Sequence, residues 1–247
     1  MFRAIYSSSK DFYYIVSAIS RLTDKMILNF TDSGINSKYL TEDKVMMGVV
    51  DITREALDEY SIEKPISVQL ELGDLKKILS KMKGRSSIEI LETEGGIRII
   101  VRDERSGTRS SLNLKADKGE VQNMKEPGVS HNVNLSIDGE VLRTLIDEGM
   151  QIGEEAEIRT KDQAVEFNVE DAGKKYVALL RPEKPLSRLE IIRDTDSRYS
   201  LPVLEKITSS LSFSKELEVA FGSGIPLKVS AVLEKGATLR FWVAPRL

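Results

Sequence analysis

Apolar residues at Phe12, Ile15, Val16, Ile19 and Leu22 recur at spacings of three and four, which predicts an amphipathic helix of about three turns lying on a flat partner. Alternation over Met26–Phe30 then predicts a strand, and Asp32-Ser33-Gly34 predicts a tight hairpin turn in which glycine supplies a positive φ. Further strands are expected over Lys44–Ile52 and Ile66–Leu72. Gly73-Asp74 then opens a second helix with Leu75, Ile78, Leu79 and Met82 on its apolar face. Ser87–Glu92, Ile97–Arg102 and Ser110–Ala116 are short and β-rich, and the turn signals Glu94-Gly95-Gly96 and Arg105-Ser106-Gly107 separate them. They read as antiparallel hairpins.

The same order then returns. Asn132–Ser136 reads as a strand, Val141, Leu142, Leu145 and Ile146 mark a helix, and Ala156–Thr160, Val165–Val169 and Lys175–Leu180 read as strands. Ser200–Leu211 is the fourth helix, followed by strands over Leu217–Phe221, Leu227–Val232 and Thr238–Val243. A shift of about 130 places lays Met26-Ile27-Leu28 on Ala156-Glu157-Ile158, a match in element order and spacing more than in identity. Asp117–Val129 is mostly polar and contains Gly119, Pro127 and Gly128, as an exposed connector would. The expected organisation is therefore an α+β chain of two similar halves, each of antiparallel sheet with helices on one face: residues 1–116, a connector at 117–129, and residues 130–247.

Composition narrows the chemistry. With no Cys and one histidine, His131, thiolate and multi-histidine metal sites within one chain are excluded, and no cofactor is expected. No G-x-S-x-G element is present, and Gly222-Ser223-Gly224 falls between two expected strands rather than before a helix, so the chain does not read as an enzyme. Thirty-six Lys and Arg against 39 Asp and Glu leave a net charge of -3, so any surface for nucleic acid has to be local. The first residues lack the layout of a signal peptide, and no apolar run approaches the roughly 18 residues that span a bilayer. A soluble cytoplasmic, nucleoid-associated protein with no membrane contact is expected.

The C-terminal segment is more specific. Ile225-Pro226-Leu227-Lys228-Val229, followed by Gly236-Ala237-Thr238-Leu239-Arg240-Phe241-Trp242-Val243-Ala244-Pro245-Arg246, resembles the closing strand pair and Leu-Ala-Pro-Lys/Arg ending of PCNA-type DNA sliding clamps, with Val243 in the Leu position. Gly34–Val50 and the lysine-bearing Leu75-Lys76-Lys77-Ile78-Leu79 agree with that family, and the likeness is greatest to its archaeal members. Trp242 departs from it, standing where relatives commonly carry Tyr, and Glu126 replaces an aliphatic residue frequent in the connector.

The resemblance implies a DNA clamp fold that closes head to tail into a trimeric ring around duplex DNA. Such a ring tethers DNA polymerase, flap endonuclease and DNA ligase in replication and repair after a clamp loader places it. The ring's edges would be Arg109–Ala116 and Lys174–Arg181, with Leu112 and Leu114 meeting Tyr176, Ala178 and Leu180 of the next subunit. Lys10, Arg21, Lys76, Lys77, Lys81, Lys83, Arg85, Arg143 and Lys206 would face DNA phosphates without reading bases. Leu40, Val45, Met47, Met124, Pro226, Trp242, Ala244 and Pro245 would receive a partner peptide carrying an aliphatic residue and two aromatics. By their local pattern alone, the two strands read equally as interior strands, the basic residues as solvated helix faces, and Leu40, Val45 and Met47 as core. Homotrimer and mixed ring both remain open. So do a checkpoint or repair clamp and an oligomeric β-rich scaffold that binds proteins and never touches DNA.

Overall fold

The computed structural model describes residues 1–81 and 86–246. The first half runs β1 (Phe2–Tyr6), α1 (Ser9–Ile19), β2 (Lys25–Thr31), β3 (Gly34–Leu40), β4 (Met46–Thr53), β5 (Glu59–Ile62) and β6 (Ile66–Glu71), then α2 (Leu72–Leu79), β7 (Ser86–Thr93), β8 (Gly96–Asp103) and β9 (Arg109–Lys115). A short strand, β10 (Asp117–Gly119), follows. The second half runs β11 (Val133–Asp138), α3 (Gly139–Met150), β12 (Glu155–Lys161), β13 (Ala164–Asp171), β14 (Lys174–Pro182), β15 (Pro185–Ile191) and β16 (Asp196–Ser200), then α4 (Leu201–Ser210), β17 (Glu216–Phe221), β18 (Leu227–Val232) and β19 (Thr238–Val243).

Element order and sheet topology both repeat. In the first half the strands lie in the orders β5-β1-β7-β8-β9 and β6-β2-β3-β4; in the second they lie as β15-β11-β17-β18-β19 and β16-β12-β13-β14. Each strand is thus replaced by its successor in the repeat. The hairpin turns correspond as well: Thr31 pairs with Gly34 and Lys161 with Ala164, two residues intervening each time. Gly34 sits at φ 126, and a Cβ there would lie 2.3 Å from the Ile52 carbonyl oxygen, so no other residue fits. The second turn places Asp162 and Gln163 at positive φ instead.

Two compact units make up the chain. One comprises Met1–Tyr39, Gly48–Lys125 and Val232–Leu239; the other comprises Leu40–Met47, Glu126–Ala231 and Arg240–Leu247. In the first, Phe12, Ile15, Val16 and Ile19 of α1 are buried together with Leu75 and Leu79 of α2, and each such side chain contributes about 1.5–3 kcal/mol by leaving water. The Ser8 hydroxyl caps α1 by accepting from the Asp11 N–H at 3.0 Å. Asp11, itself buried, accepts from the Tyr6 hydroxyl at 3.1 Å and from the Lys235 N–H at 3.0 Å, fastening α1 to the turn before β19. In the second unit Asp138 caps α3, accepting from the Glu140 and Val141 N–H groups. Leu145 and Ile146 are buried with Leu201, Leu204 and Ile207 of α4. At Gly149 a Cβ would come within 3.0 Å of Val169 and 3.3 Å of Leu201, so the missing side chain lets α3 lie close to β13 and α4.

Several boundaries differ from the sequence reading, each for a local reason. Helix α1 ends at Ile19, and Leu22 lies in the turn beyond, its N–H bonded to the Ile19 carbonyl. Strand β4 starts at Met46 rather than Lys44. Lys44 has φ 58 in a turn that Asp43 ties together by accepting from Thr41 Oγ1 and the Val45 N–H. Leu72 opens α2 instead of closing β6, and its N–H donates to the Asp24 carbonyl. Strands β1, β5, β10, β15 and β16 are additions to the elements that the pattern predicts. In β15, Arg188 and Glu190 interrupt the apolar signal, yet its backbone pairs with β11 from Val133↔Ile191 to Ile137↔Leu186.

Candidate interaction surfaces

The basic residues expected to face phosphates lie on or just past the four helices. Lys10, Arg21, Lys77, Lys81, Arg143 and Lys206 are exposed and Lys76 is half-buried, while Lys83 and Arg85 fall outside the described residues. Some are partnered. Lys10 Nζ stands 5.7 Å from the centre of the Tyr14 ring, Lys77 pairs with Asp74 at 3.4 Å, and Arg143 pairs with Asp147 at 3.8 Å. On α1 and α2 themselves Lys10, Lys76 and Lys77 stand against Asp74 and the buried Asp11, while Arg21 and Lys81 just past the helix ends are accompanied by the exposed acids Asp24 and Glu71. Around α3 and α4 the balance reverses: Arg143 and Lys206 stand against Glu140, Asp147, Glu148 and Glu205.

Both expected edges are open. Among the described residues β9 pairs with β8 alone and ends its sheet. β14 pairs with β13 along its length, and on its other side it meets β15 only through Arg181↔Pro185 and Pro182↔Leu186. Lys174–Leu180 therefore presents one row of backbone groups with no partner strand among the described residues. Leu112 and Leu114 pair with Ile99 and Ile97, half-buried on one face of β9. Leu112 lines an apolar cavity of about 170 Å³ with Leu75, Ile78, Leu79, Ile99 and Val101. On β14, Tyr176 and Ala178 are half-buried and Leu180 is buried at 6% exposure. The Tyr176 ring meets Phe167 edge to face at 6.3 Å, and its hydroxyl donates to Glu148 at 2.6 Å. Burial and that carboxylate push the Tyr176 phenol up to about 12, so it stays a neutral donor. Strand alternation turns Val177 (47% exposed) and Leu179 (39%) to the other face, away from the residues that the resemblance implies at the junction.

Around Trp242 the second unit gathers residues from four segments. Trp242 is 7% exposed, and its Nε1–H donates to Glu126 Oε2 at 3.0 Å. Arg240, two residues earlier on the same face of β19, donates to both oxygens of that carboxylate, at 3.0 and 2.9 Å. His131 stacks on the indole at 5.7 Å, and its Nε2 bonds to the Pro226 carbonyl at 3.0 Å. Lys228 Nζ stands 5.7 Å from the indole centre. Burial first, then Lys228, holds the His131 imidazole below its ordinary range, so at neutral pH it is uncharged and Nε2–H donates. The Ala244 N–H donates to the Val45 carbonyl at 2.8 Å. The structure thus brings Val45 to Ala244, and Pro226 to Trp242 through His131. Leu40, Val45, Pro226, Ala244 and Pro245 are half-buried, and Met47 is buried. Met124 lies in the first unit, where its carbonyl accepts from Lys38 Nζ at 2.9 Å. Sequence reasoning marks Trp242 but neither Arg240 nor Lys228 beside it, and leaves His131 isolated; proximity over such sequence separations leaves no local signal.

No group of three or more His, Cys, Asp or Glu placed to hold a metal ion occurs among the described residues, and none of their helices is long and apolar enough to cross a membrane.

A repeated two-sheet topology with a pair of helices in each half, and an open strand edge in each, defines the DNA clamp class of folds. The comparisons with known proteins agree. A family profile described as "Proliferating cell nuclear antigen, N-terminal domain" matches residues 1–122. "DNA polymerase sliding clamp 2" of Sulfurisphaera tokodaii is 40% identical over 248 residues, covering both chains completely. "DNA polymerase sliding clamp 1" of Saccharolobus solfataricus is also 40% identical, over 249 residues and the whole of both chains. Among solved structures, PCNA from Thermococcus kodakaraensis superposes with a TM-score of 0.89 at 18% identity over all of both chains. A PCNA2–PCNA3 complex from Sulfolobus tokodaii gives 0.84 at 21% identity over 99% of each. The chain belongs to the DNA polymerase sliding clamp family, of the PCNA type.

Proposed function

We propose that this chain is one subunit of a trimeric ring that encircles duplex DNA and holds DNA polymerase, flap endonuclease and DNA ligase on it, without chemistry of its own. The observation that carries the reading is the pair of open strands in opposite halves, β9 and β14. Pairing β9 of one copy with β14 of the next satisfies both rows of backbone groups, and a head-to-tail interface of this kind closes when its rotation completes a circle. The apolar cavity beside Leu112 gives the junction a place for side chains of the neighbour, with Tyr176, Ala178 and Leu180 as the facing residues.

In this reading the basic residues of α1 and α2 supply most of the attraction to phosphates, with Arg143 and Lys206 as weaker contributors, and the ring slides because such interactions carry no base information. Leu40, Val45, Met47, Pro226, Trp242, Ala244 and Pro245 receive the peptide of a client enzyme, and a clamp loader opens the ring. The Sulfolobus tokodaii neighbour is a complex of two different clamp chains, which supports a mixed ring beside the homotrimer. Light scattering on the purified chain tests the assembly. A mass near three subunits is the expected result for a homotrimer, and a monomer that assembles with related clamp chains supports the mixed ring. A monomer that pairs with none overturns the reading.

A further inference from the structure

Glu126 is the residue at which the chain enters the second unit after Lys125, and its carboxylate accepts three hydrogen bonds from one face of β19. Two come from Arg240 and one from the indole N–H of Trp242. The bidentate pair fixes the carboxylate in the guanidinium plane, and the third bond fixes the indole against the carboxylate. The only polar atom of the ring is thereby occupied, while His131 and Lys228 flank its π-system. An aliphatic residue at position 126 could hold neither Arg240 nor the indole N–H.

From this geometry we infer that Glu126 is a positioning residue of the partner-peptide site: it fastens the end of the connector to the terminal strand and sets the orientation of Trp242, and the affinity of the site depends on that orientation. The inference rests on the peptide-site reading given under the proposed function. Without the carboxylate the buried indole N–H loses its acceptor and Arg240 its bidentate partner, and the ring turns to find another acceptor. A site held in its bound arrangement binds better than one that must be ordered first, so loss of Glu126 weakens peptide binding by about tenfold.

Trp242 is the one tryptophan of the chain, so its fluorescence reports on this site alone. The probe is a synthetic peptide with one aliphatic and two aromatic anchors, titrated by calorimetry into wild type, Glu126→Ala, Glu126→Gln and, as an exposed control on the same connector, Glu120→Ala. Thermal unfolding confirms that each variant is folded. Glu126→Ala is expected to shift the Trp242 emission to longer wavelength and to weaken the peptide about tenfold. Glu126→Gln, which keeps an acceptor for the indole but no charge for Arg240, recovers the emission and part of the affinity. Glu120→Ala changes neither. Unchanged emission and affinity in Glu126→Ala, or tighter binding, overturns the inference and leaves the peptide site standing. A peptide that binds no variant, wild type included, overturns the site reading and the inference together.

Discussion

Among the described residues, helices α1 and α2 carry three basic residues, Lys10, Lys76 and Lys77, against one exposed acid, Asp74, whereas α3 and α4 carry two, Arg143 and Lys206, against four acids, although both pairs occupy the same place in one repeated topology. The backbone plan and the surface charge have therefore diverged independently. That is physically reasonable, because the plan depends on which positions are buried and the charge on which are not. Buried carboxylates show a similar divergence. Glu89 on β7 is held by Arg3 and Arg102 in the first half, and Glu166 on β13 by Arg159 and Lys161 in the second. These positions do not correspond: a shift of 130 takes Glu89 to Val219, and Glu166 back to Asn36. Each half therefore carries its own cluster of this kind, on the strand face opposite the apolar residues Ile88 and Ile90 or Val165 and Phe167.

The halves also differ in how deeply their first helix is buried. Phe12 on α1 is fully buried, while Leu142, its counterpart on α3, is half-buried. Phe12→Ala is expected to cost about 3–5 kcal/mol and Leu142→Ala about 1–2 kcal/mol, read from urea unfolding. Equal costs would show that the two helices carry their units alike.

Charge reversal sharpens the comparison on the helix faces proposed to meet DNA. In an assembled ring, Lys76→Glu with Lys77→Glu is expected to reduce the salt dependence of DNA retention by about 0.9 in logarithmic slope for each phosphate no longer neutralised, so by up to about 2. Arg143→Glu with Lys206→Glu is expected to change it by less than half as much, because that surface is already acidic. Equal slopes in the two double variants would break the asymmetry.

The smallest effect concerns pH. At Glu89 burial works to raise the carboxyl, but the hydrogen bonds from Arg102 and Arg3 outweigh it and hold the group below its ordinary 4.5. At Glu166 the Lys161 hydrogen bond leads and Arg159 adds to it, also below 4.5. A carboxyl lowered in the fold contributes stability that is fully present above about pH 4.5 and is lost as pH falls through the folded value. Glu166→Gln is expected to flatten that acid limb more than Glu89→Gln, since burial, which opposes the shift at both, is the leading influence at Glu89 and stands behind the Lys161 hydrogen bond at Glu166. Urea midpoints measured between pH 7 and pH 3 would check the order.

Much of this architecture is legible as pattern. The 3.6-residue stripe of α1, the hairpin at Gly34 and the return of the same order some 130 residues later all follow from which side chains avoid water, and that is written locally. Strands such as β1 and β15 escape the pattern because their pairing comes from distant partners: β1 lies between β5 and β7, and β15 lies beside β11. The site at Trp242 divides in the same way. Resemblance marks the tryptophan, but the carboxylate that holds it comes from the connector 116 residues away in sequence, and the histidine that stacks on it precedes β11.

By itself, then, the sequence determined the two-half α+β plan, the absence of cysteine chemistry and the kinship of the closing strands. Only the tertiary structure decided that β9 and β14 have open sides and that Glu126, Arg240 and His131 converge on one indole. The physical reason is range. Burial periodicity is a property of neighbours along the chain, whereas strand pairing and ion pairing depend on which segments meet after folding, and nothing in a local pattern records that.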